Sequence, residues 1–232
     1  MSSSSQRYAI YAAPPLRHPL HDFAAAWLGW DPQTGLEHPP ESCAGLPPRR
    51  IAELTAEPRR YGLHATLKPP FRLAPGSDQS ALHDALKNFA ASHEGLPPVE
   101  LRLAALSGFL ALRPATDDAA LRACADACVM EFDGFRAHAG EAEIAKRRAA
   151  GLTERQDAYL LRWGYPYVLE EFRPHFTLTG RIKDAAERST LLDRLSARLA
   201  SLLSAPVPLE LCLFGQEADA NFRILARYPF NS

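Results

Sequence analysis

The chain of 232 residues is long enough to bury a sizeable core, as one large domain or as two small lobes. With 47% hydrophobic and 23% charged residues it has the composition of an ordinary globular protein, and its 20 prolines predict many fixed turns and strand ends. A formal net charge of -1 argues against a general polynucleotide-binding surface, which needs a cationic excess, and suits a small anionic ligand better.

Residues 1–7 lack the apolar core of a secretory signal, and no later run is apolar and long enough to span a bilayer, so a cytoplasmic location without membrane contact is expected. Arg7 to Ala13 is rich in aromatic and β-branched character and stops at Pro14-Pro15, which predicts a strand. A short helix follows over His21 to Leu28, with His18 and His21 in its cap region. From Asp31 to Pro58 the chain is Pro-rich and aperiodic, with Pro39-Pro40 and Pro47-Pro48 as breakers and one helical turn near Ile51–Leu54. This segment reads either as a lid over a site or as a surface excursion.

The tetrad His64-Ala65-Thr66-Leu67 comes next, within Tyr61 to Pro70, and Pro69-Pro70 should end its strand. A helix capped at Ser77 or Asp78 carries an apolar stripe through Leu82, Leu86 and Phe89, and stops at Gly95. Val99 to Leu103 and Gly108 to Leu112 then form a hairpin. Thr116 caps a crossover helix with Leu121, Cys124, Cys128 and Phe132 inward, and the four cysteines read as reduced thiols. Glu141 to Trp163 is a charged helical pair broken at Gly151, with Thr153 as second cap. The tetrad then returns as His175-Phe176-Thr177-Leu178. Asp184 caps a leucine-striped helix, and Leu209 to Leu213 pairs with Phe222 to Tyr228.

Strand, helix and hairpin thus occur twice, with Glu100 following His64 by 36 positions and Glu210 following His175 by 35. In an extended strand, residues two apart share a face, so each tetrad presents an imidazole and a hydroxyl together. Neither tetrad carries a second metal-ligating residue at strand spacing, and no glycine-rich phosphate loop or Gly-x-Ser-x-Gly elbow is present, so no metal and no cofactor is expected. Nothing calls for an obligate protein partner.

With its two His-x-Thr-Leu motifs the chain resembles the 2H phosphoesterase superfamily. The longer wording Tyr61-Gly62-x-His64-Ala65-Thr66-Leu67-Lys68-Pro69-Pro70-Phe71, and Arg162-Trp163-Gly164-Tyr165-Pro166-Tyr167 leading to Arg173-Pro174-His175, is similar to its uncharacterised branch associated with phosphonate-utilisation operons. The resemblance implies an α+β, bilobal fold, with two pseudo-symmetric antiparallel-sheet lobes, helices outside and a central cleft. Residues 1–115 would form the first lobe, 116–170 the crossover and inserted helices, and 171–232 the second lobe.

Two imidazoles facing one cleft would serve a phosphodiester without metal, His64 and His175 acting as general acid and base in opposite protonation states. Thr66 and Thr177 would donate to the non-bridging oxygens. Lys68, Arg173 and Tyr61 are further candidate substrate contacts, with a rim salt bridge as the alternative for the two cations. Arg147 or Arg148 would hold a second anionic group, the alternative for the run Lys146-Arg147-Arg148 being a solvated face. Three readings follow: hydrolysis of a small cyclic phosphodiester, which the charge balance favours; RNA 2′,3′-cyclic phosphate end processing or 2′,5′-joining; and a non-catalytic phosphate-ligand binder.

Overall fold

The computed structural model describes residues 6–39, 42–93 and 95–230. Residues 1–5 of the leader reading and the Pro40 breaker lie outside these segments. Strand β1 (Arg7–Ala13) leads to helix α1 (Pro19–Leu28), which His18 caps by accepting from the Leu20 N–H. His21 faces Asp31 at 3.5 Å, so both histidines belong to the α1 end of the molecule.

The Pro-rich stretch is more regular than its sequence suggests. It forms the two-residue strands β2 (Trp30–Asp31) and β3 (Leu36–Glu37), helix α2 (Pro48–Thr55) and a 3-10 turn at Pro58–Arg60. Pro at the start of a helix is tolerated because its missing N–H would have had no intrahelical partner, which is why Pro47-Pro48 opens α2 instead of breaking the chain.

Strand β4 (Ala65–Phe71) runs through Pro69-Pro70 where an end was expected. It is an edge strand, and an edge tolerates residues that cannot donate to a neighbour. Helix α3 (Gln79–Ser92), capped by Asp78, precedes the hairpin of β5 (Leu101–Leu106) and β6 (Phe109–Pro114). Ser107 and Gly108, both at positive φ, form its two-residue turn, the geometry that matches the twist of the flanking strands. Helix α4 (Ala119–Glu131) is capped by Asp118, not Thr116, and buries Leu121, Cys124 and Cys128. Helices α5 (Glu141–Arg148) and α6 (Glu154–Trp163) form the predicted pair, the second opened by a Thr153–Gln156 capping box. The second tetrad contributes the short strand β7 (Phe176–Thr177), followed by α7 (Ala185–Leu199) and the hairpin β8 (Glu210–Gln216) and β9 (Arg223–Tyr228).

The protein is therefore α+β, with antiparallel sheets and seven α-helices among the described residues. The sheets do not follow the division at 115 and 171. One sheet has the order β4-β1-β8-β9 and the other β5-β6-β7, so each tetrad strand sits in a sheet with the hairpin of the opposite repeat. Val99 and Val207, which precede the two hairpins, exchange reciprocal backbone hydrogen bonds of 2.9 and 2.8 Å where the repeats cross. The strands pair across the contiguous halves that were expected, because pairing is decided by which apolar faces meet, a long-range property.

Period two along β1 serves two layers. Tyr8, Ile10 and Ala12 join the main core, whereas Ala9, Tyr11 and Ala13 pack with Phe214 and Phe222 on the other face. That second face carries His64 and Thr66, while Ala65 and Leu67 of the same tetrad join the main core. No helix among the described residues is long and apolar enough to cross a membrane.

Candidate active site

Each tetrad histidine is held by the same local device. His64 donates from Nδ1 to the Gly62 carbonyl at 3.0 Å, and His175 donates from Nδ1 to the Arg173 carbonyl at 2.6 Å, in both cases two residues back. A carbonyl can only accept, so Nδ1 carries the proton and the neutral ring keeps its lone pair on Nε2. Gly62 makes the first bond possible. Its φ of +69° is a left-handed conformation, and a Cβ there would lie 2.6 Å from Pro32 Cγ.

Thr66 pairs with Tyr11 across β1 and β4, and the Tyr11 ring stacks on His64 with centroids 3.8 Å apart and an 18° interplanar angle. Tyr61 stands 5.8 Å from His64 and stacks on Phe222 at 5.1 Å, which completes an aromatic floor. Across the cleft, the His175 ring lies 5.7 Å from Phe109. His64, Thr66, Tyr61, Thr177 and Arg147 line one cavity of about 530 Å³. His175 lines, again with Thr66, an adjoining cavity of about 220 Å³, and the two share Thr66, Pro69 and Tyr165 as walls. The structure thus brings both tetrads to adjoining parts of one hollow between the two sheets. Neither threonine hydroxyl has a hydrogen-bond partner among the described residues, which leaves both free for a ligand.

Burial lowers the His64 pKa to about 4, the Gly62 carbonyl partly opposing this by stabilising the charged ring, while charge on His175 lowers it further. His64 is consequently neutral near pH 7. Its folded-state pKa lies below the ordinary 6.5, so between these values the unfolded chain binds the proton the folded one refuses. This group's contribution to stability is complete above about pH 6.5 and is lost as pH falls toward about 4. The His64 ring is expected to titrate near pH 4 in a proton NMR titration; a midpoint near 6.5 would contradict the burial that the structure gives it.

Lys68 does not join the cleft. Thr66 pairs with Tyr11 and Lys68 with Ile10, so β4 spends two steps where β1 spends one, and this bulge turns Lys68 to the core face. Lys68 is buried, 1% exposed, and its ammonium donates to the Val129 carbonyl at 2.9 Å and lies 3.5 Å from Asp133. Burial pushes its pKa down to about 8, against the opposing pull of Asp133. Lys68→Met is expected to lower stability by about 1–3 kcal/mol through the lost charged hydrogen bond, while kcat stays within about threefold. A far larger fall in kcat, in protein shown to be folded, would restore Lys68 to the site.

Arg148 is also absent from the cleft, because it forms a paired fork with Asp157 at 2.6 and 2.7 Å on the outer surface. Arg173 lines the smaller cavity, but its Nη1 donates to the Glu170 and Phe172 carbonyls. Of the Pro-rich segment that reads as a lid or a surface excursion, Glu57 and Pro58 border the cleft, whereas Arg50 is tied to Glu187 at 2.7 Å on α7. The insert reaches the cleft through Arg147 and, just beyond it, Tyr165. Sequence reasoning overlooked Arg7, Tyr11 and Arg181. Arg7 and Tyr11 share a face by strand alternation, a legible signal, but Arg181 reaches the site only through the packing of its stem over the turn at Gly108. No group of three or more His, Cys, Asp or Glu side chains converges among the described residues.

The chain belongs to the family described as "Protein of unknown function (DUF1045)", which it matches over residues 66–223. It is 36% identical over 235 residues to a protein of Janthinobacterium sp. (strain Marseille) named "Ribose 1,5-bisphosphate phosphokinase PhnN", with 99% of this chain and 52% of that protein covered. A protein of the same name from Laribacter hongkongensis (strain HLHK9) is 36% identical over 219 residues, with 94% of this chain and 50% of that protein covered. The chain thus spans about half the length of the curated relatives it matches. A solved structure, of a conserved protein of unknown function, ATU0111, from Agrobacterium tumefaciens str. C58, is similar at a TM-score of 0.45 and 11% identity, covering 97% of this chain and 89% of that one.

Proposed function

We propose that this protein is a 2H-type phosphoesterase that hydrolyses a small cyclic phosphodiester without a metal ion, and that it serves phosphonate metabolism. The observation that carries the reading is the pair of matched Nδ1-to-carbonyl bonds, which fix the same tautomer on two histidines lining adjoining parts of one hollow. Neutral His64 takes a proton from water through Nε2. The water oxygen bonds to phosphorus, the bond from phosphorus to one ring oxygen breaks, and His175, protonated at Nε2, gives its proton to that departing oxygen. Thr66 and Thr177 donate to the non-bridging oxygens as their charge redistributes. The product is a phosphomonoester carrying one oxygen from water.

The kinase activity in the relatives' name is not carried over. This chain contains no Gly-Lys pair, and hence no Walker-type phosphate loop, in a sequence matching only half of those proteins. The ribose phosphate in the relatives' name supports a ribose cyclic phosphate as the choice among small diesters.

The test is to incubate chelator-treated protein with ribose 1,2-cyclic phosphate and with nucleoside 2′,3′-cyclic phosphates in ¹⁸O-water, and to follow the products by ³¹P NMR. A monoester carrying one ¹⁸O is expected. Activity abolished by chelator and restored by one metal would overturn the metal-free mechanism, and no turnover of any cyclic diester would overturn the reading.

A further inference from the structure

Beside the larger cavity of the cleft lies a third cavity, of about 460 Å³, that shares Arg7, Pro70 and Arg147 with it as walls. Its charge is one-sided. Arg7, Arg72, Arg136, Lys146 and Arg147 line it against the single carboxylate Glu143, in a chain whose net charge is -1. Arg136 is already committed, donating to Asp133 at 2.8 Å and to the Arg162 carbonyl at 3.0 Å. Arg147 pairs with Glu143 at 3.1 Å, and the remaining three cations have no carboxylate partner among the described residues. Arg7 donates through Nε and Nη2 to the uncharged side chain of Gln216, and Arg72 and Lys146 have no side-chain partner among the described residues.

Arg147 joins the two cavities. Its guanidinium lies 5.0 Å from the centroid of the Tyr165 ring, and Nη2 donates to Glu143 at 3.1 Å. Its Nε is buried with no acceptor among the described residues. A buried donor without an acceptor carries a desolvation cost that an incoming anion removes, and a fork fixed on an aromatic face is preorganised for phosphate.

We propose that this cavity is a second anion subsite, and that the substrate is a small molecule bearing two phosphates: a cyclic diester at the histidines and a phosphomonoester between Arg7, Arg72, Lys146 and Arg147. The assignment of the first phosphate rests on the reading of His64 and His175 given above; the second phosphate is argued from the cavity alone. The geometry places the anchoring charge on β1 and α5, so that binding of the remote phosphate orients the diester between the tetrads.

The subsite can be tested without turnover, by calorimetric titration of the full chain with ribose 1,5-bisphosphate and with ribose 5-phosphate. The bisphosphate is expected to bind at least about tenfold more tightly, and that ratio to fall toward one in Arg147→Ala and in the double variant Arg72→Ala/Lys146→Ala. Arg72 and Lys146 are exposed, so the double variant does not depend on Arg147 tolerating replacement. Arg147→Lys, which keeps the charge but not the fork, should restore only part of the ratio. Equal affinity for the two sugars, or a ratio unmoved in both variants, would overturn the subsite even if cyclic diesters are hydrolysed. A preserved ratio difference without hydrolysis would support the subsite and count against the diesterase reading alone. An RNA oligonucleotide with a 2′,3′-cyclic end that binds more tightly than the bisphosphate, with steep salt dependence lost in the same variants, would assign the cations to a strand and overturn the small-molecule substrate.

Discussion

Replacing His64 or His175 with alanine is expected to lower kcat for a cyclic phosphodiester by at least about 10²-fold, the low end of what a positioned acid or base contributes. The two losses should differ in their pH signature. His64 is the group that must be neutral, and burial against Tyr11 holds its pKa near 4, so the acid limb of kcat/KM in the wild-type protein should lie near that value and vanish in His64→Ala. His175→Ala removes the proposed proton donor and should leave that acid limb in place. If the two rings act on the same displacement, as proposed, the double variant should be little worse than either single one. Losses that simply multiply would mean that the histidines do not share one reaction. The measurement is steady-state kinetics across pH on the three variants, with circular dichroism to confirm folding.

The second large effect is expected from the hydroxyls. Thr66→Val and Thr177→Val each remove a donor of nearly unchanged shape, and the double variant should lose about 10²- to 10³-fold in kcat, comparable with removing a donor from an oxyanion site. Val keeps the β-branched form suited to strands β4 and β7, so the fold should survive. Neither hydroxyl titrates, so the pH limits should stay in place while the plateau falls, the opposite of the histidine variants. A double variant with wild-type turnover would remove the threonines from the mechanism.

Much of this organisation is legible in the sequence because it is local. Caps at Asp78, Thr153 and Asp184, the period-two strands and the doubled tetrad each depend on a few neighbouring residues. The errors arise where a distant partner decides. Lys68 stands two residues after Thr66, as Thr66 does after His64, yet one extra residue in β4 relative to β1 reverses its direction. Arg147 and Arg148 are adjacent and alike in type, and only the position of Asp157 shows that the second is spent on α6. The second tetrad reads as a full strand but pairs over only two residues, Phe176 and Thr177, with Leu112 and Ala111. The number of cations around the cleft was hidden for the same reason, since Arg7, Arg72 and Arg181 come from three separate parts of the chain.

The exchange of hairpins between repeats sets the order in which the protein can come into being. Strand β1, at Arg7–Ala13, lies between β4 and β8, and β8 begins only at Glu210. During synthesis the β1 edge beside the first tetrad is therefore expected to stay unpaired until residues Glu210–Gln216 have emerged. The second tetrad in turn docks on a hairpin made some sixty residues earlier. Contacts of such sequence separation close late and slowly. A chain truncated before β8 is consequently expected to hold both tetrads without bringing them to one hollow, so the proposed activity should appear only with closure of the complete β4-β1-β8-β9 sheet.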